Sequence, residues 1–238
     1  MKTKKIIFTA SMVFLAVIVL CCTVFISILT YVNQYIKDNY HRRISIWQDT
    51  AGDIADGSIV FVGDSHTEYF ALDEYFQNFP VINRGIYGDT TKGVINRLNE
   101  SVLNLNPSKI FLLIGVNDIN KTGETNEAIV ENIREIIKRI RNVIPDVKIY
   151  VQSLYPVNKY GKNSRRTHVF KLDNKRIIAI NQLLESFCSS EHIVYIDMFS
   201  RLTDKNGELY EEFTIEGLHL NAAGYRFIAE ILRPYVEN

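Results

Sequence analysis

The feature that most constrains the folding of this chain is an uncharged segment near its N-terminus. Residues 6–32 read IIFTASMVFLAVIVLCCTVFISILTYV, and none of these 27 side chains is charged. A helix of about 20 apolar residues spans the hydrocarbon core of a bilayer, so this segment is long enough to cross a membrane with some tilt. A core helix of a soluble domain is the alternative, but the length and the extreme N-terminal position argue against it. We therefore predict a transmembrane helix.

The segment is typical of an uncleaved signal anchor rather than of a cleaved signal peptide. A cleaved peptide has an apolar core of roughly 7–15 residues before a small-x-small site, and no convincing site follows this longer run. A lipoprotein signal is also disfavoured, because Leu20 precedes Cys21 where a small residue is expected. With Cys21 and Cys22 inside the segment, Cys188 has no partner for a disulfide within the domain, so cysteine usage does not indicate a compartment.

The charges that flank the segment predict its orientation. The basic residues before it are Lys2, Lys4 and Lys5. The basic residues shortly after it are Lys37, Arg42 and Arg43. Because Lys and Arg are enriched on cytoplasmic flanks, we favour a single pass through the cell membrane, with the N-terminus inside and the domain outside. The second basic group leaves the opposite orientation open.

Length and composition indicate one globular domain after the anchor. The chain has 238 residues, of which 47% are hydrophobic and 23% charged, enough to bury one core. Beyond residue 32 it carries 24 basic and 27 acidic side chains, a balance that does not suggest a nucleic acid as a partner. We predict an anchor at 1–32, a juxtamembrane connector at 33–56 that becomes a helix, and a globular domain at 57–238.

Short apolar runs alternate with helical patterns through the globular domain. Five runs are typical of buried strands: 59–62, 80–82, 109–114, 147–151 and 193–196. Residues 124–144 carry isoleucines at steps of three and four, which indicates an amphipathic helix, and 173–188 and 222–236 show similar spacing. This alternation predicts βαβ units with right-handed crossovers, and so an α/β fold with a five-stranded parallel sheet covered on both faces.

Polar motifs follow the first three strands and precede the last helix. They are Gly63-Asp64-Ser65, NRGIYGDTT at 83–91, GVND at 115–118 and EGLHLN at 216–221. Ligands of open α/β sheets bind at the carboxyl ends of the strands. If the strand order is the flavodoxin-like 2-1-3-4-5, the first three motifs are neighbours at one edge of the sheet.

These motifs contain one candidate for each role in acyl transfer by a serine. Such a reaction needs a nucleophile, a base within hydrogen-bond reach and donors for the developing oxyanion. Ser65 is the candidate nucleophile and His219 the candidate base, while the N–H groups of Ser65 and Gly88 and the Asn117 amide are candidate oxyanion donors. Each residue alone has a simpler explanation: a turn at Gly88, a helix cap at Asn117, a surface histidine at His219. Their joint placement after successive strands favours catalysis.

The four motifs resemble the sequence blocks of the GDSL/SGNH hydrolases, a family named for its Ser, Gly, Asn and His. Here the blocks read GDSHTE, NRGIYGDTT, GVND and EGLHLNAAGY, and the resemblance covers roughly residues 57–236. It implies a three-layer α/β/α, flavodoxin-like fold that hydrolyses esters or acetyl groups, with no metal or organic cofactor. It also implies the roles of Ser65, Gly88, Asn117 and His219 given above.

Two positions depart from the family pattern. His66 stands where the family name has Leu, which places a second imidazole beside the candidate nucleophile. Glu216 stands where the family usually has Asp, and its extra methylene moves the carboxylate by about 1.5 Å. Glu216 is our candidate for orienting the base, with a backbone carbonyl as the alternative. We favour His219 over His66 as the base, because Asn221 is a good N-cap that would fix the loop of His219.

Two further groups of charged residues have ordinary interpretations. Asp64, Asp89 and Asp118 are predicted to stabilise turns, because no His, Cys, Asp or Glu cluster has metal-ligand spacing. Residues 157–176 hold seven basic side chains against Asp173 and are predicted to form a solvated loop. The alternative is a lid or rim that attracts an anionic envelope polymer or a lipid headgroup.

Taken together, these features predict a membrane-anchored serine esterase that acts outside the cell through an acyl-enzyme. Short acyl or acetyl esters of a glycan or envelope polymer are the preferred substrates, because the chain has an anchor and no long apolar lid. An O-acyltransferase of a cell-envelope glycan, or a non-catalytic envelope-binding domain on the same fold, are alternatives. A nucleotide-binding module is disfavoured, since no Gly-rich phosphate loop is present.

Overall fold

The chain folds as two units that are described separately. The computed structural model describes residues 2–162, 164 and 168–238, without the side chains of residues 2–10, 168 and 170. The first unit ends at Ile46, and the second covers Trp47–Asn238. The second unit contains the sheet and all four polar motifs.

The N-terminal helix, α1, runs from Lys2 to Thr50 and includes the uncharged segment. Its most apolar 18-residue window has a mean hydropathy of 3.0, and none of that window is buried. The helix is therefore long and apolar enough to cross a membrane, a property that N-terminal signal sequences share. The lysine side chains on which the orientation partly depends (Lys2, Lys4 and Lys5) lie outside the described side chains.

The second unit is built on a parallel five-stranded sheet. The strands are β1 (Ile59–Gly63), β2 (Val81–Gly85), β3 (Lys109–Leu113), β4 (Lys148–Gln152) and β5 (Val194–Ile196). Their order is β2-β1-β3-β4-β5, so the predicted flavodoxin-like order is confirmed. Every residue of β1 and β3 is buried, which requires helices on both faces of the sheet and gives the three-layer α/β/α arrangement.

The central strands end level with one another. Gly63, the last residue of β1, pairs with Gly85 at the end of β2 and with Leu113 at the end of β3. The loops after these three strands therefore leave the same edge of the sheet. This register brings three of the four polar motifs to one place.

The helices of the second unit include the three that the sequence predicts, each beginning within two residues of its predicted start. In chain order they are α2 (Ser65–Glu68), α3 (Leu72–Tyr75), α4 (Thr91–Asn96), α5 (Leu98–Ser101), α6 (Val116–Lys121), α7 (Asn126–Val143), α8 (Asn174–Ser190), α9 (Phe199–Leu202) and α10 (Ala222–Glu237). The three long helices α7, α8 and α10 each begin at a side-chain cap, supplied by Thr125, Asp173 and Asn221. Such caps satisfy backbone N–H groups that have no partner in the first turn.

The extent of β2 differs from the prediction. The sequence predicts a strand at 80–82 and a loop from Asn83 onwards, and this boundary is wrong. The Asn83 side chain donates a hydrogen bond to the Thr67 carbonyl at 2.7 Å, and the Arg84 guanidinium lies 4.8 Å from the centre of the Trp47 ring. Because both polar side chains have partners at this edge of the sheet, their polarity does not end the strand.

The close packing of β2 against α2 at Gly85 can be tested by substitution. A Cβ at this position would lie 2.7 Å from the Thr67 carbonyl carbon and closer still to the Glu68 nitrogen. Gly85→Ala should cost about 1–3 kcal/mol, because backbone must move to admit the methyl group. Melting of the detergent-solubilised protein, followed by Trp47 fluorescence, measures the loss. Gly52→Ala is the matched control, since no atom lies within 4 Å of a Cβ there. Equal melting temperatures for both variants would contradict the close packing.

Candidate active site

Ser65, His219 and Glu216 form a continuous chain of polar contacts. Ser65 Oγ lies 2.9 Å from His219 Nε2. On the other side of the ring, His219 Nδ1 lies 2.5 Å from Glu216 Oε1. The structure therefore brings together the three residues that the sequence proposes as nucleophile, base and orienting carboxylate.

Ser65 is placed by the turn that joins β1 to α2. Asp64 is the single residue between the two elements, and its Oδ1 accepts a hydrogen bond from the His66 N–H at 3.0 Å. Ser65 is the first residue of α2, so its own N–H has no acceptor within the helix. The turn therefore leaves both the hydroxyl and the N–H of Ser65 available at the edge of the sheet.

His219 is held in a tight loop directly before α10. The loop is closed by an antiparallel bridge between Thr214 and Leu220, and Thr214 Oγ1 accepts a hydrogen bond from the Gly217 N–H at 2.8 Å. Gly217 has a φ of +91° and lies against the backbone carbonyl of Asn158, where a Cβ would collide. These contacts fix the position of the His219 imidazole.

Glu216 contacts His219 in two ways. Its Oε1 accepts a hydrogen bond from the His219 backbone N–H at 3.1 Å, in addition to the ring contact. Burial acts to raise the pKa of Glu216, but hydrogen bonds from the His219 ring and backbone outweigh burial and lower the pKa. The Glu216 carboxylate, rather than a backbone carbonyl, is therefore the group beside Nδ1.

The candidate oxyanion donors lie beside this chain of contacts. Gly88 has a φ of +71°, a left-handed conformation that favours glycine. The Asn117 side chain donates a hydrogen bond to the Asp89 carbonyl at 2.9 Å, which fixes the plane of the amide and leaves its second N–H for a ligand. Lys121 Nζ donates to the Gly88 carbonyl at 2.6 Å. The peptide of Gly88 and the amide of Asn117 are thus each held by a neighbour.

All five predicted site residues line one cavity of about 530 Å³. Its other lining residues are Tyr69, Tyr87, Val116, Asn120, Lys121, Lys171, Leu172 and Leu218. The rings of Tyr69 and Tyr87 lie 5.3 and 6.1 Å from the His219 ring, and each tyrosine is a little less than half exposed. The volume is within the range of small-molecule sites.

Three buried aspartates hold the loops beneath the cavity. Asp89 Oδ2 accepts a hydrogen bond from Arg97 Nε at 2.7 Å, and Asp118 accepts from the Thr91 hydroxyl at 2.6 Å. Burial raises the pKa of Asp89 and of Asp118, although these hydrogen bonds act in the opposite direction. Burial also raises the pKa of Asp64 to about 7. Asp64 stabilises the turn before α2 as predicted, whereas Asp89 and Asp118 bond to Arg97 and Thr91 in other segments of the chain.

The stretch 157–176 is not the solvated loop that the sequence predicts. Val157, Asn158 and Leu172 are buried, and Asn158 N–H donates to the Gly217 carbonyl at 2.7 Å. The described part of this stretch therefore packs behind the loop of His219, because its buried apolar residues reach the core. Arg165, Arg166 and the side chain of His168 lie outside the description.

Sequence reasoning missed Lys121 and the two tyrosines of the cavity. Lys121 follows Asn117 by four residues on α6, a spacing that places both side chains on one face of a helix. That spacing is a signal available in the sequence. Tyr69 and Tyr87 had no such signal, because exposed tyrosines in loops are common and only the folded chain brings them to His219.

The burial of His66 predicts how the stability of the folded protein changes at acidic pH. Its side chain is buried 5.7 Å from the His219 ring, and burial, assisted by the charge of His219, lowers the pKa of His66 from 6.5 to about 3. Between these values the unfolded chain binds a proton that the folded chain does not, so stability falls as the pH drops from 6.5 towards 3. His66→Leu should reduce the fall in melting temperature between about pH 7.5 and pH 4.5 by about 5–11 °C.

The matched control for this measurement is His192→Asn. His192 is exposed, and its φ of +53° suits asparagine. The control should melt with the same pH dependence as the native protein. An unchanged acid dependence in His66→Leu would contradict a buried, neutral imidazole at position 66.

Comparison with known proteins shows the family to which the chain belongs. A family model described as GDSL-like Lipase/Acylhydrolase matches residues 54–227. Platelet-activating factor acetylhydrolase IB subunit alpha2 of Rattus norvegicus is 28% identical over 185 residues, covering 75% of this chain and 74% of that protein. The Homo sapiens protein of the same name gives the same identity and coverage.

Solved structures show the same relationship. A chain from Streptococcus pneumoniae described as a platelet activating factor superposes with a TM-score of 0.81 at 28% identity, covering 87% of this chain and 97% of its own. A GDSL-like lipase from Bacteroides thetaiotaomicron shares the fold, with a TM-score of 0.70 at 20% identity over 84% of this chain and 97% of its own. The chain therefore belongs to the GDSL-like lipase/acylhydrolase family of hydrolases.

Proposed function

We propose that this hydrolase is a membrane-anchored serine esterase that forms an acyl-enzyme on Ser65. The observation that carries the proposal is the chain of contacts from Ser65 Oγ to His219 Nε2 at 2.9 Å and from His219 Nδ1 to Glu216 at 2.5 Å. A serine hydroxyl is a weak nucleophile until a neighbouring base accepts its proton. This geometry supports that transfer.

Acylation follows from the positions of these groups. Ser65 Oγ attacks the ester carbonyl carbon while His219 Nε2 takes the hydroxyl proton, and the carbonyl π electrons move onto oxygen. The N–H groups of Ser65 and Gly88 and the free N–H of Asn117 stabilise this oxyanion. Glu216 stabilises the imidazolium that forms. The intermediate collapses as His219 gives its proton to the alcohol oxygen, which leaves with the electrons of the broken C–O bond.

Deacylation repeats the same steps with water. His219 removes a proton from a water molecule, the water oxygen attacks the Ser65 acyl carbon, and the oxyanion forms at the same donors. Collapse breaks the bond between the acyl carbon and Ser65 Oγ, and His219 returns a proton to the serine. The products are a carboxylic acid and the free enzyme.

We infer that the acyl group is short, with acetyl esters as the preferred substrates. The related rat and human proteins are named acetylhydrolases. Few side chains give the cavity an apolar wall. They are chiefly Val116, Leu172 and Leu218, together with the rings of Tyr69 and Tyr87. Such walls suit a small acyl group and a polar alcohol part better than a long chain, which needs a continuous apolar surface.

We propose that α1 anchors the domain to the cell membrane and that the domain faces the outside. The length and apolar character of the helix support an anchor. An enzyme held there would meet esters of envelope glycans or polymers. Cleavage of the domain by protease added to intact cells tests the orientation, and protection of the domain would contradict it.

Replacement of the nucleophile tests the proposed chemistry. Ser65→Ala should lower kcat for acetyl esters by about 10⁴-fold or more, because no acyl-enzyme can form. The measurement is hydrolysis of 4-nitrophenyl esters of increasing acyl length by the detergent-solubilised full chain, with and without an acceptor sugar. Ser186→Ala, at an exposed position of α8, is the matched control and should keep native activity. Equal activity of Ser65→Ala and the native protein would refute the proposal, and acyl transfer to the sugar would make the enzyme a transferase.

Glu216 provides a second, independent test. Glu216→Gln should lower kcat by about 10²–10⁴-fold with a smaller effect on KM, because a neutral amide neither orients nor stabilises the imidazolium. Glu216→Asp should retain more activity, since the charge remains although the carboxylate withdraws by about 1.5 Å. Glu230→Gln, on the exposed side of α10, is the control. Native kcat in Glu216→Gln would show that the carboxylate has no part in the reaction.

A further inference from the structure

The cavity beside Ser65 contains an unequal set of charged side chains. Its lining residues include one carboxylate, Glu216, and that group is bonded to His219. They also include two ammonium groups, Lys121 and Lys171. Within the described part of the chain, neither lysine has a carboxylate oxygen within 4 Å of its Nζ. The described walls of the cavity therefore carry two ammonium groups that form no salt bridge.

Lys121 is held at the candidate oxyanion donor. Its Nζ donates to the Gly88 carbonyl at 2.6 Å, and a Cβ added to Gly88 would lie 2.5 Å from Nζ. The ammonium therefore lies directly over the Cα of Gly88. The Lys121 side chain is exposed to solvent. Partial burial of its ammonium group lowers the pKa of Lys121, although the nearby Asp89, Asp64 and Asp118 act to raise that pKa. An ammonium has three N–H donors, so the bond to Gly88 leaves two for a ligand.

Lys171 reaches the same cavity from a different part of the chain. It is the last residue of a short 3-10 helix, His168–Lys171, and its side chain is exposed. The next residue, Leu172, is 1% exposed and fixes this end of the segment in the core. Two segments that are distant in sequence thus each bring one lysine to the walls around Ser65.

We propose that the natural substrates are esters whose alcohol part carries an anionic group, either a phosphate or a carboxylate. Lys121 and Lys171 bind this anionic group. The proposal rests on the proposed esterase function of the same site. An anionic group close to the ester would be attracted into a partly desolvated cavity, where charge interactions are several times stronger than in water. A neutral ester of the same shape would not gain this charge attraction from the two lysines.

The test compares three phenyl acetates that differ in the group para to the ester, on the detergent-solubilised full chain. They are 4-acetoxybenzamide, which is neutral, 4-acetoxybenzoate and 4-acetoxyphenyl phosphate. The native protein should show kcat/KM for at least one anionic ester about tenfold or more above that for the neutral ester at low salt. This preference should shrink as salt is added, because salt screens charges that are exposed to solvent.

Variants then assign the preference to the two lysines. Lys171→Gln and Lys121→Gln should each lower the ratio of anionic to neutral kcat/KM by about three- to tenfold, mainly through KM. The ratio is the readout because loss of the Gly88 contact in Lys121→Gln also affects neutral esters. Lys121→Arg, which keeps the charge, should restore much of the ratio. Lys138→Gln, an exposed lysine of α7 that does not line the cavity, is the matched control and should leave the ratio unchanged.

The outcomes separate this proposal from the esterase function. A preference for only one of the two anionic esters supports the proposal and identifies the group that is bound. If the protein hydrolyses neutral and anionic esters equally well and both reactions depend on Ser65, the proposed anion site is wrong. The proposed esterase function would then be retained. A preference that survives both glutamine variants would overturn the assignment to these lysines. No Ser65-dependent hydrolysis of any of the three esters would overturn both proposals.

Discussion

A buried ion pair between Asp89 and Arg97 holds the site together. Arg97 is 1% exposed and Asp89 is 7% exposed, so both charges have left water, at a cost of several kcal/mol per ion that only good geometry offsets. Two short contacts act against this cost: Arg97 Nε lies 2.7 Å from Asp89 Oδ2, and Arg97 Nη2 donates to the Gly63 carbonyl at 3.0 Å. One guanidinium therefore ties the end of β1, just before Ser65, to the loop that carries Gly88.

The same aspartate extends the connection to the third loop. Its backbone carbonyl accepts the Asn117 amide, so the loops after β1, β2 and β3 share one bonded network. The loop of His219 is attached separately, through Asn158 to the Gly217 carbonyl at 2.7 Å and through the Tyr225 hydroxyl to the His66 carbonyl at 3.0 Å. The candidate oxyanion donors thus share a hydrogen-bonded network with the turn of Ser65, whereas the base is positioned by the segment after β4 and by α10.

Much of this arrangement follows from the sequence, for identifiable reasons. The strand order and the meeting of three loops follow from alternating apolar runs and helices, because right-handed crossovers leave few topologies. The sequence did not predict where polar side chains find partners. Asn83 continues β2 because the carbonyls of α2 accept its amide, and Asn158 is buried because the loop of His219 uses its backbone. The positions of Asn83 and Asn158 both depend on neighbours that are distant in the chain, so a local sequence pattern cannot predict them.

Glu216 shows how a departure from a family pattern is accommodated by backbone geometry. A longer side chain would carry a carboxylate past the ring if it extended freely. Here Glu216 Oε1 contacts both the backbone N–H and the Nδ1 of His219, which is only three positions later in the chain. The Glu216 side chain therefore bends back towards its own backbone, and this bend accommodates the extra methylene. The loop must then be tight enough to present both donors of His219 to one oxygen. The Thr214–Leu220 bridge and the left-handed Gly217 supply that tightness, so the whole loop, and not the carboxylate alone, determines how the imidazole faces Ser65.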